Sequence, residues 1–429
     1  MKSNASGKNQ AIHWAWVILV ICFINLFVNY GIRLGYSVVL PEMIRTLGFT
    51  RRQAGDIFNA YFLAYIILSL FAGNLTDRLG ARKIIPMFGV VLGIGTLLMG
   101  TSTSFWQASL FFGIVGMGAA AMWTPIITLV QRWFAVKRRG MALGILSTGF
   151  GLGFASMGRL FPIIVAEWNW RYCWYFLGIA ALIMVLVNIF LLRSKPEDRG
   201  LVPWGTPAGE IIPAPQATTS QAVKTRYSEI LTKGRFWMLG FSYLLVAGSL
   251  YIPTTFMVDY ARYELGFPYE RASLLATIHG IGQIVGVLTI GMISDYIGRR
   301  MTILFSNFCV GVAIVCIIAS GGNVVWLFTS VGALGAFFGA TFPMYGAAGG
   351  DYFRKEIMGT VIGALTIFYG TGAILAHRFA GHIRDATGSF SIPFIIAVVA
   401  SVIAAVLMGF VKRPEEARLI AYVSMNKGM

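Results

Sequence analysis

A few polar side chains that can bind or transfer charge interrupt the long apolar runs of this sequence. Arg33 lies inside the first run, and His279 and Gln283 lie four residues apart inside a later one. Residues four apart share one face of a helix, so His279 and Gln283 point in the same direction. An arginine in apolar surroundings is costly and usually faces a cavity or a partner. We therefore predict a polar cavity whose guanidinium attracts anions.

Both Arg33 and His279 also have simpler interpretations. Arg33 could extend its guanidinium to the headgroups of a bilayer, and a single histidine on an apolar helix is more often a hydrogen-bonded structural residue. Arg33, however, lies eight residues before Pro41, which is about 12 Å along a helix. His279 has Gln283 beside it. We therefore favour the cavity for both residues.

The elements that must position these residues are membrane helices. The chain is 57% hydrophobic and 12% charged, with a mean hydropathy of +0.73, which excludes an ordinary soluble protein. Twelve apolar runs have about the 20 residues that a helix needs to cross a bilayer, without the alternation of barrel strands. They cover residues 14–40, 54–76, 84–103, 106–131, 140–165, 171–192, 235–260, 272–294, 301–320, 324–350, 358–381 and 390–411. We predict an all-α membrane protein with twelve transmembrane helices.

The basic residues indicate how these helices are oriented. Most of the 34 Lys and Arg residues fall in segments on the same side as both termini. Because basic loops stay in the cytoplasm, we predict cytoplasmic termini and a multi-pass protein of the cytoplasmic (plasma) membrane. The net charge of +17 then follows from this topology and requires no nucleic-acid partner.

A repeated loop motif divides the chain into two related halves. Its members recur 218 residues apart, as Gly73 and Gly291, Asp77 and Asp295, and Gly80 and Gly298. The same spacing relates Arg33 to Tyr251, and Pro125 to Pro343. A proline-rich stretch separates the two copies. We predict six-helix bundles at 1–192 and 235–429, joined by a cytoplasmic linker at 193–234.

The paired motif resembles the loops after the second and eighth helices of the major facilitator superfamily of secondary transporters. This resemblance covers nearly the whole chain and implies two pseudo-symmetric six-helix halves that alternate in access around a central cavity. It also implies that the loops act as gates at the cytoplasmic face. The predicted gating residues are Asp77, Arg78, Arg82, Asp295, Arg299 and Arg300.

The superfamily lines its cavity with helices 1, 4, 7 and 10, helped by helices 2, 5, 8 and 11. Polar residues at equivalent depths in both halves are the best candidates, since such transporters bind substrate near the midplane. Tyr61 and Tyr65 correspond to His279 and Gln283 in the 218-residue register. The predicted substrate-binding residues are Arg33, Tyr30, Tyr61, Tyr65, Trp123, Tyr251, His279, Gln283, Tyr369 and Arg378.

Two arginines of the fifth and eleventh helices have alternative interpretations. Arg159 and Arg378 should lie near the outer ends of these helices. Each could pair with an acidic residue of the outer rim, such as Glu167 or Asp385. Alternatively, Arg378 could lie at the top of the substrate site.

A closer resemblance concerns the substrate. The stretch from Tyr30 to Glu42 is similar to the first helix of the monocarboxylate transporter family. Arg132-Trp133-Phe134 resembles a loop of that family and of bacterial oxalate/formate antiporters. Those carriers usually bind the carboxylate with an arginine of the eighth helix, and here Val287 takes that place. The resemblance therefore requires Arg33 or Arg378 to bind the anion.

The predicted cavity is positive, because no Asp or Glu falls in the middle of a predicted helix. We expect a monomeric transporter of a small organic anion, most simply a monocarboxylate. A co-transported proton would require a titrating group, for which His279 is the candidate. The alternatives are an exporter of a neutral or amphipathic compound, with Arg33 structural, and a non-transporting membrane sensor. No nucleophile–base pair, metal-ligand spacing or cofactor loop predicts an enzyme, a metal or a cofactor.

Overall fold

The structure is a computed structural model that describes residues 13–207, 230–353 and 358–411. These residues form twelve long helices, as predicted, and eleven of them are long and apolar enough to cross a membrane. The twelfth, α2, has 29 residues, and its residues 57–76 include no Asp, Glu, Lys or Arg. The helices are α1 (Trp14–Leu47), α2 (Arg51–Leu79), α3 (Ala81–Thr101), α4 (Phe105–Trp133), α5 (Val136–Glu167), α6 (Trp170–Leu191), α7 (Gly234–Tyr263), α8 (Tyr269–Ile297), α9 (Arg299–Ala319), α10 (Val324–Tyr352), α11 (Met358–Thr387) and α12 (Ser391–Phe410).

The two halves repeat each other in detail. Helices α2 and α8 both have 29 residues, α3 and α9 both have 21, and the bounds of each pair differ by 218. Gly80 and Gly298 end the first helix of each pair with φ angles of +81° and +87°, a conformation that only glycine adopts without strain. Gly48 and Gly266 match as well, at +68° and +72°. The predicted pseudo-symmetry is confirmed.

The two ends of the helix bundle are distinguished by their turns. The linker face carries the Gly80 and Gly298 turns and the segment that follows α6. The far face carries the Gly48 and Gly266 turns. Both predicted termini, at 1–12 and 412–429, lie outside the described residues.

Helix α1 is longer than predicted. The sequence suggested that it ends near residue 40 and that an exposed loop follows, but the helix continues through Pro41 to Leu47. Residues 41–44 are buried, so packing against neighbouring helices maintains the helix despite the hydrogen bond that proline removes. Gly48 then ends it, with its N–H bonded to the Ile44 carbonyl. Arg33 therefore lies about 21 Å from the far end of the helix.

Helix α4 is interrupted near its middle. Its segments Phe105–Ala119 and Thr124–Trp133 are separated by four residues, and Pro125 stands in the first turn of the second segment. Proline is well suited to that position because a first-turn N–H has no partner within the helix. The interruption includes Trp123, one of the predicted cavity residues.

The described start of the linker packs against the first half. The backbone of Trp204 bonds to that of Trp133 and Ala135 at 2.9 and 3.0 Å. The Trp204 ring meets Trp16 edge-on, with centroids 5.0 Å apart. Arg199 places its guanidinium over the Trp14 ring at 3.5 Å. Residues 193–206 are therefore part of the packed structure of the first half.

Glycines bring the two halves into backbone contact at two places. Between α5 and α8, a Cβ on Gly151 would lie 2.7 Å from the Gly280 carbonyl oxygen, and a Cβ on Gly280 would lie 2.4 Å from that of Gly151. Between α2 and α11, a Cβ on Gly55 would lie 2.5 Å from the His377 carbonyl oxygen. Small residues permit such close helix contact in membranes.

We expect Gly151→Ala to destabilise this arrangement, because the added methyl group overlaps backbone atoms of α8. Overpacking of this kind typically costs about 1–3 kcal/mol. Gly144→Ala is the matched control, since Gly144 lies on the same helix and a methyl group added there would have no atom within 4 Å. The melting temperature of the purified protein should fall in the first variant only. Equal melting temperatures would contradict the close contact.

Candidate functional site

Arg33 lies at the centre of the molecule, where the halves meet. Its side chain is buried, and Nη2 donates a hydrogen bond of 2.5 Å to the Tyr251 hydroxyl. These two residues occupy equivalent positions in the repeat. Equivalent residues touch each other only when both lie close to the pseudo-twofold axis. Arg33 is therefore on that axis, at the depth where repeat transporters bind their substrates.

Aromatic rings surround the Arg33 guanidinium. Its central carbon lies 4.7 Å from the centroid of Phe62 and 5.6 Å from those of Tyr30, Tyr61 and Tyr65. The negative faces of such rings attract a cation, but more weakly than a carboxylate does. Within the described residues, no ion pair includes Arg33, and its Nε has no hydrogen-bond partner. The site thus holds a buried positive charge without a protein counter-charge.

A cavity of about 30 Å³ adjoins this guanidinium. Six predicted residues line it, namely Tyr30, Arg33, Tyr65, Trp123, Tyr251 and Tyr369. The Tyr369 hydroxyl donates to the Tyr251 hydroxyl at 3.2 Å, which extends the polar chain from Arg33. Tyr61 covers Arg33 from one side, and its buried hydroxyl has no hydrogen-bond partner. In this conformation the halves are closed tightly around the arginine.

The structure places four predicted residues outside the cavity lining, namely Tyr61, His279, Gln283 and Arg378. His279 is buried between the rings of Phe154 and Phe338, and its nitrogens lie 3.1 Å from the Thr254 hydroxyl and 3.0 Å from the Gln283 amide nitrogen. His279 and Gln283 thus lie next to a lining residue, Phe338. Arg378 lies at the far face and pairs with Asp56 at 3.3 Å.

Sequence reasoning missed the aromatic part of the lining and one histidine. Phe150, Phe338 and Phe342 line the cavity, but by type alone they resemble the many phenylalanines that face lipid. The sequence does contain an indication for Phe150. The 219-residue spacing that relates Arg159 to Arg378 also relates Phe150 to Tyr369, a predicted binding residue. In the sequence His377 stands beside Arg378, and only the structure shows that it is fully buried between the halves.

Ion pairs join the two halves at the far face. Arg51 pairs with Asp259 at 3.0 Å, and Arg262 pairs with Glu42. The side chains of both acids are almost completely buried, at 0% and 4% exposed. Arg51 falls between the predicted spans 14–40 and 54–76, but α2 begins at this residue and α7 brings Asp259 against it.

The outer-rim arginines also join the halves. Arg159 of α5 pairs with Glu270 of α8 at 3.0 Å, while Arg378 of α11 pairs with Asp56 of α2. The partners predicted for them, Glu167 and Asp385, were wrong. Each acid lies on the same helix as its arginine, about two turns further along, whereas the real partners come from the opposite half. Asp385 instead accepts the backbone N–H groups of residues 51 and 52 at 3.0 and 2.8 Å.

The motif loops at the linker face make contacts within one half. Asp295 accepts a hydrogen bond from Arg299 at 2.6 Å, and Arg299 also lies 3.6 Å from Asp351. Arg300 donates to the Met408 carbonyl at 3.2 Å. In the first copy, Arg78 and Arg82 are exposed, while the side chain of Asp77 is outside the described set. The gating role of all six residues remains a prediction.

The chain matches known proteins along nearly its whole length. The family model of the Major Facilitator Superfamily matches residues 22–271 and 239–424. A hexuronate transporter of Bacillus subtilis is 24% identical over 89% of this chain and 90% of its own length. A probable hexose phosphate transport protein of Chlamydia trachomatis is also 24% identical, over 87% and 85%. Monocarboxylate transporter 12-B of Danio rerio is 22% identical over 92% and 86%.

Solved structures share the fold. A point mutant of the nucleoside transporter NupG superposes with a TM-score of 0.73 at 16% identity, covering 92% of this chain and 100% of that one. A bacterial homologue of the human lysosomal transporter Spinster, solved in an inward-facing and unoccupied conformation, gives 0.71 at 16% identity over 94% and 98%. These similarities concern the arrangement of the twelve helices.

Proposed function

This chain belongs to the Major Facilitator Superfamily of secondary transporters, and on that premise we propose that it carries a small organic anion, with Arg33 as the principal binding group. The observation that carries the proposal is the buried guanidinium without a carboxylate partner. An unpaired buried charge costs several kcal/mol, and a bound anion would remove that cost with charge-assisted hydrogen bonds. Hydroxyl groups of Tyr251 and Tyr61 are near enough to orient it.

The names of the relatives support an anionic substrate. Hexuronates and monocarboxylates carry a carboxylate, and hexose phosphates carry a phosphate. Because planar carboxylates fit the fork of a guanidinium, and a monocarboxylate is the smallest such group, we propose a monocarboxylate for the cavity around Arg33. The proposed substrate-binding set remains the predicted one, with Arg378 at the far-face entrance.

Transport would proceed by alternating access between two six-helix bundles, 1–192 and 235–429. We propose that the linker face is cytoplasmic, in agreement with its basic residues, in the plasma membrane of the cell. The inter-half ion pairs then close the outer entrance in this conformation. Their separation would open it, while the loops at Asp77 and Asp295 would hold the cytoplasmic side closed.

The test is a screen of the purified protein for thermal stabilisation and of reconstituted vesicles for uptake. Lactate, glucuronate and glucose 6-phosphate would be compared with neutral sugars and amphipathic drugs. We expect one class of acid to raise the melting temperature, because a ligand of the native state stabilises it. Stabilisation by neutral or amphipathic compounds alone would favour the alternative that the aromatic lining suggests, an exporter of such compounds. Binding without accumulation in vesicles would favour a sensor.

A co-transported proton is the remaining part of the proposal. A pH gradient, acidic on the far side, should accelerate uptake into vesicles and drive the acid above its external concentration. An uptake rate that is independent of the gradient would instead indicate exchange or facilitated diffusion.

A further inference from the structure

His377 of α11 connects the two halves through both of its ring nitrogens. Nδ1 lies 3.1 Å from the amide oxygen of Asn59, on α2 in the first half. Nε2 lies 2.9 Å from the Thr255 hydroxyl, on α7 in the second half. The ring also stacks on Phe58, with centroids 4.6 Å apart and planes at 21°. This histidine is fully buried inside the far-face closure.

These contacts define how the ring holds its proton. An amide oxygen can only accept, so Nδ1 carries the hydrogen and donates it to Asn59. In the neutral ring, Nε2 then accepts the hydroxyl hydrogen of Thr255. A proton added at Nε2 would turn this acceptor into a donor and require Thr255 to rotate its hydroxyl. The bond pattern between the halves would therefore change with the charge of His377.

His279 differs from His377 in where its hydrogen-bond partners lie. Its two partners, Thr254 and Gln283, both belong to the second half, so a rocking motion of one half against the other leaves them in place. A proton drives a conformational change only when the two states bind it with different affinities. Opening the far face separates His377 from Asn59 and Phe58, and thus changes its surroundings.

Arg33 makes proton binding at His377 depend on the anion. The Arg33 guanidinium and the His377 ring contact the same two rings, Phe62 and Tyr251, which places them at most about 10 Å apart by these contacts. The positive charge of Arg33 opposes a second positive charge on His377. An anion bound to Arg33 removes this repulsion, and by linkage a proton on His377 strengthens anion binding.

The other charged groups around His377 are already paired. Asp56 of α2 pairs with Arg378, and Asp259 of α7 pairs with Arg51. Asn59 and Asp56 also line a far-face crevice of about 750 Å³ between α2, α4 and α11. A path for protons from the far face therefore ends at the residue to which His377 donates.

We propose that His377 is the proton-binding site that couples proton movement to anion transport. The proposal rests on the proposed function. The neutral imidazole takes up one proton at Nε2 when the anion occupies Arg33, and it returns that proton on the other side when the anion leaves. The proton and the anion thus move together, one for one.

The test separates coupling from transport in reconstituted vesicles, with His377→Gln and, as matched control, His382→Gln, which replaces an exposed histidine of the same helix. Exchange of labelled lactate or glucuronate at equal pH measures anion transport, and uptake under a gradient of two pH units measures coupling. We expect His377→Gln to retain exchange within about threefold while the roughly tenfold acceleration by the gradient disappears. His382→Gln should retain both. Acceleration that persists in His377→Gln, or vanishes in His382→Gln, would overturn the assignment.

A second measurement tests the proposal even if His377→Gln fails to fold. Wild-type protein in weakly buffered detergent should take up close to one proton per bound anion, and Asn59→Leu should alter the pH range of that uptake. Anion binding by the wild type without proton uptake would refute the proposal. Absence of any anion binding or exchange in the wild type would instead refute the proposed function.

Discussion

We expect the replacement of Arg33 by methionine to lower anion uptake by about 30-fold or more, while the melting temperature of the unliganded protein should stay the same or rise. Loss of one member of a buried charge pair typically costs about 2–5 kcal/mol of binding, so the substrate loses its main partner. The free energy of unfolding should not fall with the uptake. An apolar side chain of similar length removes a buried charge that no carboxylate of the described residues neutralises. Vesicle uptake and thermal unfolding measure the two effects.

Two further variants sharpen this result. Arg33→Lys retains the charge but loses the planar fork, so we expect uptake between those of the wild type and Arg33→Met. Arg159→Gln removes a far-face arginine whose side chain is 62% exposed, and uptake should stay within about threefold. A fall in melting temperature with retained transport in Arg33→Met would show that Arg33 is structural, as the exporter alternative requires.

We expect Asp259→Asn to shift the protein toward a conformation in which the two halves separate at the far face. Asp259 is fully buried and Arg51 is 19% exposed, and breaking such a pair typically costs about 3–5 kcal/mol, or more than about 100-fold in the open-to-closed ratio. A cysteine at Ser273, which is buried between the halves, would report the opening by reaction with an impermeant maleimide. The four native cysteines would first be replaced.

The matched control is Glu270→Gln, which breaks another ion pair between the halves. Arg159 and Glu270 are 62% and 70% exposed, and exposed pairs contribute about 0–1 kcal/mol. Labelling at Ser273 should therefore rise only a few-fold. Equal labelling in the two variants would mean that the buried ion pair does not hold the far face closed.

The sequence predicts the helices and their repeat because both depend on local patterns. Apolar length defines each span. Gly80 and Gly298 stand at equivalent turns, where the positive φ angle favours glycine. The register relates Arg33 to Tyr251, and the structure adds that both lie close enough to the pseudo-twofold axis to touch. Six cavity-lining residues could be predicted from the sequence.

The remaining features depend on which helix faces which. The partner of Arg51 is Asp259, which lies 208 residues away in the sequence. No local sequence pattern predicts such a pair. The continuation of α1 past Pro41 is a packing effect that helix propensity alone opposes. The contact of His377 with Asn59 on the other half is likewise absent from any local pattern.

The docked linker start has a consequence for protein engineering. Trp204 is held by Trp133, Trp16 and Ala135, so the linker residues up to 206 pack against the first half. A fluorescent domain or an affinity tag inserted at 194 would disrupt the Trp204 cluster, whereas one inserted just after Pro207 would leave it intact. Two co-expressed chains divided at that later position should also reassemble better than chains divided at the earlier one.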